Sequence, residues 1–275
     1  MKIKNLLVNK PAFHLSEQNY FRYIVLLSRV LQLFGTTYSL GSRKLNSTAF
    51  PNVKIWEIRG IERPILIQSQ YRISRFLKGF TYAGMRQWNR YGISDLLKFE
   101  LPDVLIDIGA NIGEVSFYGW VIGIKRIISV DPDPIAFECL EFNLSGTSAE
   151  LDCRALGESS GDVTFYSKAH SADSSLFKPE GESIKVQVEA ITLKRFFEDN
   201  SITGNILLKM DAEGFEPEIL RSGISELHKI KWVAIDSGAE RGNETTVDEV
   251  VAILKEANFN YINVSIKNIV TASRC

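Results

Sequence analysis

The segment Val104-Leu-Ile-Asp-Ile-Gly-Ala-Asn-Ile-Gly113 does more than any other to limit what this chain can fold into. An apolar run reaches an acid, Asp107, then turns through Gly109 and Gly113 into an apolar-periodic stretch. A further apolar run, Ile127-Ile-Ser-Val130, ends at Asp131, twenty-two positions after Gly109. Strand, glycine turn, helix, strand and terminal carboxylate are the parts of a nucleotide-binding βαβ unit. Gly109 lets the backbone turn sharply, and Gly113 lets a ligand or the first helix approach closely. Asp131 stands where a carboxylate accepts both hydroxyl hydrogens of a ribose. The unit predicts an adenosine-containing ligand held by Asp107, Gly109, Ala110, Asn111, Gly113 and Asp131.

The spacing also bears on the rest of that ligand. Dinucleotide folds use G-x-G-x-x-G because a pyrophosphate lies against backbone N–H groups at a helix N-terminus. Here no third glycine follows in register, and Asp107 stands two residues before the first. A carboxylate there repels a pyrophosphate and attracts a cationic amino group. S-adenosylmethionine carries an ammonium and a sulfonium and no phosphate, so these residues favour it over NAD. In the bland alternative, Asp107 is only a turn or cap residue and the glycines only shape a loop.

A second stretch, Leu208-Lys-Met-Asp-Ala-Glu-Gly-Phe-Glu216, adds to the first. Together with Asp107-Ile-Gly-Ala-Asn-Ile-Gly-Glu114, Val130-Asp-Pro132 and Asn143, it resembles the FkbM-type methyltransferases, whose signature it matches as K-x-D-x-E-G-x-E. The resemblance covers about residues 100–260, with a weaker echo in Tyr82-Ala-Gly-Met-Arg-Gln-Trp-Asn-Arg-Tyr91. It implies methyl transfer from S-adenosylmethionine to a hydroxyl oxygen, of a sugar in a surface glycan or glycolipid or of a secondary metabolite. One departure is Asp236-Ser-Gly at the end of the fifth strand, where the family more often has Glu followed by an apolar residue.

The order of elements fits. Strands are expected at 103–108, 126–131, near 149–154, at 205–210 and at 230–236, with helices at 113–122, 134–144, 192–199, 216–222 and 244–257. Residues 162–166 and 184–190 read as an inserted strand pair around a polar loop, and 260–264 with 268–272 as a closing antiparallel hairpin. Alternating strands and helices give an α/β, Rossmann-like fold, a mostly parallel twisted sheet covered on both faces. The upstream part is irregular and rich in aromatic and basic residues. Strands are expected at 53–58 and 65–67, and a helix over 74–91 packed across the cofactor site. Tyr20 to Phe34 reads as an amphipathic helix, too short and too charged to span a bilayer. It would pack on the core, at a dimer interface or on a membrane surface. The division expected is an accessory, substrate-capping region at 1–100 and a methyltransferase domain at 101–275.

Composition excludes some partners. With 32 basic and 33 acidic residues the net charge is −1, which argues against nucleic acid held in a basic groove. Cys139, Cys153 and Cys275 have no metal-ligand spacing and read as reduced thiols of a cytoplasmic protein. No signal-peptide core or transmembrane segment is read, and peripheral membrane contact and a homodimer stay open.

Ligands of open α/β sheets bind outside the carboxyl ends of the strands. Asp211, Glu213 and Lys209 should therefore share a cleft with Asp107. A hydroxyl acceptor must lose its proton, so Asp211 or Glu213 is expected as general base, with Lys209 orienting it or stabilising the developing alkoxide. No metal is assigned, although Asp211, Glu213, Glu216 and Asp236 offer oxygen ligands. A third possibility is that Lys209 and Glu213 form a structural ion pair. His170 lies in the polar insert, and Ser174 and Ser175 follow where the family carries serines. Trp88, Tyr91 and Trp120 fill a core or stack on a ring. The rival functions are a nicotinamide-dependent oxidoreductase and a non-catalytic binding protein.

Overall fold

A computed structural model describes residues 39–44, 54–59, 62–68, 72–168, 174–177, 183–241 and 244–274. The expected helix at Tyr20–Phe34, His14, His170 and Cys275 lie outside them. Three antiparallel strands come first, β1 (Ser39–Lys44), β2 (Lys54–Arg59) and β3 (Ile65–Ile67). The helix expected over 74–91 is broken into α1 (Ile73–Phe76) and α2 (Phe80–Arg90), with α3 (Ile93–Leu96) beyond. The breaks fall at Gly79 and Gly92, whose φ values of 100° and 69° no helix accommodates.

The main sheet is built from β4 (Val104–Ile108), β5 (Arg126–Val130), β6 (Ala149–Asp152), β10 (Ile206–Met210), β11 (Ile230–Asp236), β12 (Tyr261–Val264) and β13 (Ile269–Ser273). Its order is β12-β13-β11-β10-β4-β5-β6, with the last five in that order parallel and β13 antiparallel to both neighbours. Strands β4 and β10 are buried at every position, as strands covered on both faces must be. The helices between them are α4 (Glu114–Val121), α5 (Pro134–Leu144), α6 (Leu193–Asn200), α7 (Glu216–Ser222) and α8 (Val247–Glu256). The insert forms a small sheet of β7 (Ala155–Gly157), β8 (Gly161–Ser167) and β9 (Ile184–Thr192), in the order β7-β9-β8. The sequence anticipated β8 and β9 but not that β7 leaves the main sheet to pair with β9.

One core lies between the sheet and α6, α7 and α8. Another joins Ile65–Ile67, Phe76 and Phe80 to Ile112, Phe117 and Leu140, so the upstream strands share apolar packing with the nucleotide-binding unit. Asn143 fastens that junction. Its side-chain amide donates to the carbonyls of Leu66 and Ile112 at 2.8 and 2.9 Å, and its oxygen accepts from Leu66 N at 2.8 Å. Gly84 brings α2 against α4, because a Cβ there would lie 2.3 Å from the Glu114 carbonyl oxygen. Among the described residues no helix is long and apolar enough to cross a membrane.

Candidate active site

The chain passes from β4 to β5 and β6 on one side, then returns to place β10 on the other side of β4. Such a reversal leaves a crevice beyond the carboxyl ends of the central strands. A cleft of about 810 Å³ opens there, lined by the β4 loop, Asp131, Asp211, Asp236 and the inner face of α2.

The floor is the turn at Gly109. Its φ of 67° is left-handed, and a Cβ would sit 1.8 Å from the Asp211 carbonyl oxygen, so the loops after β4 and β10 touch at this point. The amide of Asp211 donates to the Ile108 carbonyl at 3.1 Å. Beneath them Lys209 Nζ lies 3.0 Å from Asp107 Oδ1 and donates to the carbonyl of Gly109 at 2.8 Å. Ser116 Oγ donates to Asp107 Oδ2 at 2.7 Å and accepts from Ser129 Oγ at 2.7 Å. Burial works against the Lys209 ammonium, but Asp107 and Asp211 outweigh it and hold its pKa above the ordinary lysine value.

This bears on two sequence expectations. Asp107 is fully buried under the loop and does not line the cleft, so its carboxylate serves Lys209 rather than a ligand's ammonium. Lys209 lines the cleft and is bonded to Asp107 and the Gly109 carbonyl, with Asp211 the further carboxylate acting on it.

On the β5 side, Asp131 accepts from the backbone N–H of Asn111 at 2.6 Å and of Asp133 at 3.0 Å. Two backbone donors leave further lone pairs of that carboxylate for a ligand's hydroxyls. Burial, reinforced by Asp133, pushes the Asp131 pKa up to about 8. Asp133 caps α5 through Ile135 N and receives the hydroxyls of Ser167 and Ser174. Ser175 donates to the Glu213 carbonyl at 3.1 Å. The end of the insert thus ties the β5 side of the cleft to the β10 side.

The opposite wall is acidic. Tyr91 Oη donates to Asp211 Oδ2 at 2.5 Å, and Arg90 bridges Asp211 and Asp236. Burial and then Asp211 raise the Tyr91 pKa well above the ordinary phenol value, so it remains a donor. Carboxyl oxygens of Asp211, Asp236 and Glu240 lie within 4.8 Å of one another. Burial pushes Asp236 to about 6, with Asp211 adding to it, and Glu240 to about 8, with Glu216 adding to it. Glu213 and Glu216 stand outside this convergence. Glu213 is a half-buried loop residue at φ 51°. Glu216 accepts from the amides of Ala212 and Gly214 at 3.0 Å each and from Thr246 Oγ1 at 3.1 Å, bonds that fold the loop.

A model of the methyltransferase FkbM domain matches residues 107–261, more than half of the chain. The chain belongs to the FkbM methyltransferase family. No curated protein matches the sequence. Among solved structures, a ribosomal protein L11 methylase from Lactobacillus delbrueckii subsp. bulgaricus is 11% identical, covering 68% of this chain and 78% of that one at a TM-score of 0.41. A precorrin-6y C5,15-methyltransferase from Geobacter metallireducens GS-15 is 14% identical over 68% and 89% of the two chains, with a TM-score of 0.39. Human N-acetylserotonin methyltransferase, in complex with S-adenosylmethionine, is 15% identical over 74% and 56%, with a TM-score of 0.36. Family membership replaces the oxidoreductase reading.

Several cleft residues of the methyltransferase were not assigned roles from sequence. Arg90 and Tyr91 belong to the weaker family echo, in which Tyr91 reads as core or as a stacking platform. The signal available was helical spacing, since Ala83, Gln87 and Arg90 recur at i, i+4 and i+7 and share the cleft-facing side of α2. Glu240 had no sequence signal. Of the other aromatics, Trp88 is buried and donates to the Val115 carbonyl at 3.0 Å, and Trp120 lies outside the cleft.

The acids make stability depend on pH. Asp131, Glu240, Glu216 and Asp236 have folded pKa values near 8, 8, 7 and 6, burial being the first cause in each. The folded protein therefore binds more protons than the unfolded chain between about pH 4 and pH 8, and stability falls as pH rises through that window. The ligand-free protein should melt at a lower temperature at about pH 8 than at about pH 6. A melting temperature that is flat or rises over this interval would refute the raised values.

Proposed function

We propose that this FkbM-family protein is an S-adenosylmethionine-dependent O-methyltransferase acting on a hydroxyl of a sugar or a related small molecule. The observation that carries the reading is that a glycine turn without the dinucleotide spacing, the strand-end acid Asp131 and the acids Asp211 and Asp236 face one cleft. Gly109, Ala110 and Asn111 line the cradle, Gly113 packs behind it against Leu140 and Leu144, and Asp107 holds the turn in place through Lys209. The buried, backbone-bonded Asp131 suits a ribose diol, and Glu114, buried in the wall, suits a cationic group. When bound, S-adenosylmethionine supplies a methyl carbon on a sulfonium, open to in-line displacement by an oxygen nucleophile.

Catalysis is then mainly positioning and proton removal. Asp211 is the base, oriented by Tyr91 and kept among the oxygen acceptors of the cleft by Arg90. Asp236, with its pKa near 6, is charged at neutral pH and shares Arg90 with it. Localisation in the cytoplasm is part of the same reading.

Isothermal calorimetry with S-adenosylhomocysteine and NAD in parallel tests the cofactor. Micromolar binding of the first and none of the second is expected, followed by mass-detected methylation across a panel of sugars. Binding of NAD alone would overturn the proposal, and a protein that binds S-adenosylhomocysteine but methylates amines rather than hydroxyls would overturn the acceptor class.

A further inference from the structure

Since Asp107 is committed to Lys209, the cationic end of the methyl donor needs another partner, and a second acid of the same turn is placed for it. Glu114, the first residue of α4, is 6% exposed and lines the cleft. Among the described residues its carboxylate forms no ion pair, and only its own backbone N–H donates to it. An acid at a helix start is ordinarily favoured by the dipole while remaining in water. Burial here instead raises its pKa, against the opposing fields of Arg72, Arg75 and Lys209. A buried carboxylate with no cation in direct contact among the described residues carries a cost that a bound cation reduces.

The same wall carries cations without carboxylates. Arg72 and Arg75 line the cleft, and among the described residues neither forms an ion pair. Burial, and then repulsion from Arg72, lowers the pKa of Arg75, with Glu114 opposing. A guanidinium offers a planar fork that matches a carboxylate at two points. A buried acid and two arginines that share a wall, with no ion pair among the described residues, are complementary to a zwitterion that presents an ammonium and a carboxylate on one carbon.

We propose that Glu114 and Arg75 clamp the amino-acid end of the methyl donor, Glu114 taking the ammonium and Arg75 the carboxylate. This rests on the S-adenosylmethionine reading above and moves the ammonium site from Asp107 to Glu114. Lys209 and Asp107 then act only on the loop, and Arg72 supports Arg75 by charge.

Calorimetry with two probes separates the possibilities. S-adenosylhomocysteine has the amino-acid end and 5′-methylthioadenosine lacks it, while both present the same adenosine. Glu114→Gln and Arg75→Met should each weaken S-adenosylhomocysteine roughly tenfold or more, as loss of a charge-assisted bond does. Binding of 5′-methylthioadenosine should change by less than about twofold, which also shows that the variants are folded. The decarboxylated analogue of S-adenosylhomocysteine should respond to Glu114→Gln and not to Arg75→Met. The clamp is overturned if either variant leaves S-adenosylhomocysteine affinity intact, or weakens both probes alike. Wild-type protein that binds neither probe would overturn the cofactor reading itself, whereas wild-type binding with unresponsive variants removes the clamp alone.

Discussion

Replacing Lys209 with methionine is expected to destabilise the protein by about 3–5 kcal/mol, because the buried Asp107 would lose the cation beside it. Asp107 is fully buried, and its only ion-pair partner among the described residues is Lys209 at 3.0 Å. Methionine fills similar volume, so the effect reports the charge rather than a cavity. Domains hold only about 5–15 kcal/mol in reserve, so the loss is large. It should appear as a lower denaturant midpoint at unchanged slope. Removing both charges in Asp107→Asn/Lys209→Met should restore much of the loss, since an unpaired charge costs more than an absent pair. A single variant within about 1 kcal/mol of wild type, near the ordinary effect of a point mutation, would show that the pair is not what holds the Gly109 turn.

The second large effect concerns turnover. Asp211→Asn keeps the shape of the side chain and its ability to accept from Tyr91, but it cannot take a proton. Loss of a positioned general base lowers turnover by about 10²–10⁴-fold. Affinity for S-adenosylhomocysteine should stay within about twofold of wild type, since less than 0.5 kcal/mol is at stake in binding. Tyr91→Phe, which removes the 2.5 Å donor to Asp211, should lower turnover less than Asp211→Asn does. If Asp211→Asn turns over normally, the base assignment fails, and Asp236, the neighbouring carboxylate across Arg90, becomes the residue to test. A loss of binding equal to the loss of turnover would mean instead that Asp211 only supports the loop that Gly109 touches.

Much of this protein was legible in its residues because the determining forces are local. Alternating apolar runs set β4, β5, β10 and β11, the turn at Gly109 needed a left-handed residue, and Asp131 falls at a strand end wherever the strand is. The K-x-D-x-E-G-x-E stretch named the loop after β10 before its neighbours were known. What sequence could not give was the pairing of charges. Asp107 and Lys209 are 102 residues apart, and only the parallel register of β4 and β10, which sets them side by side, spends each on the other. Arg90 and Asp236 are 146 residues apart and meet because α2, packed against α4, brings Arg90 to the cleft at the strand ends. A carboxylate's role depends on which counter-charge reaches it first. That is decided by strand order and helix docking, and so the acids were visible in the sequence while their partners were set by the tertiary fold.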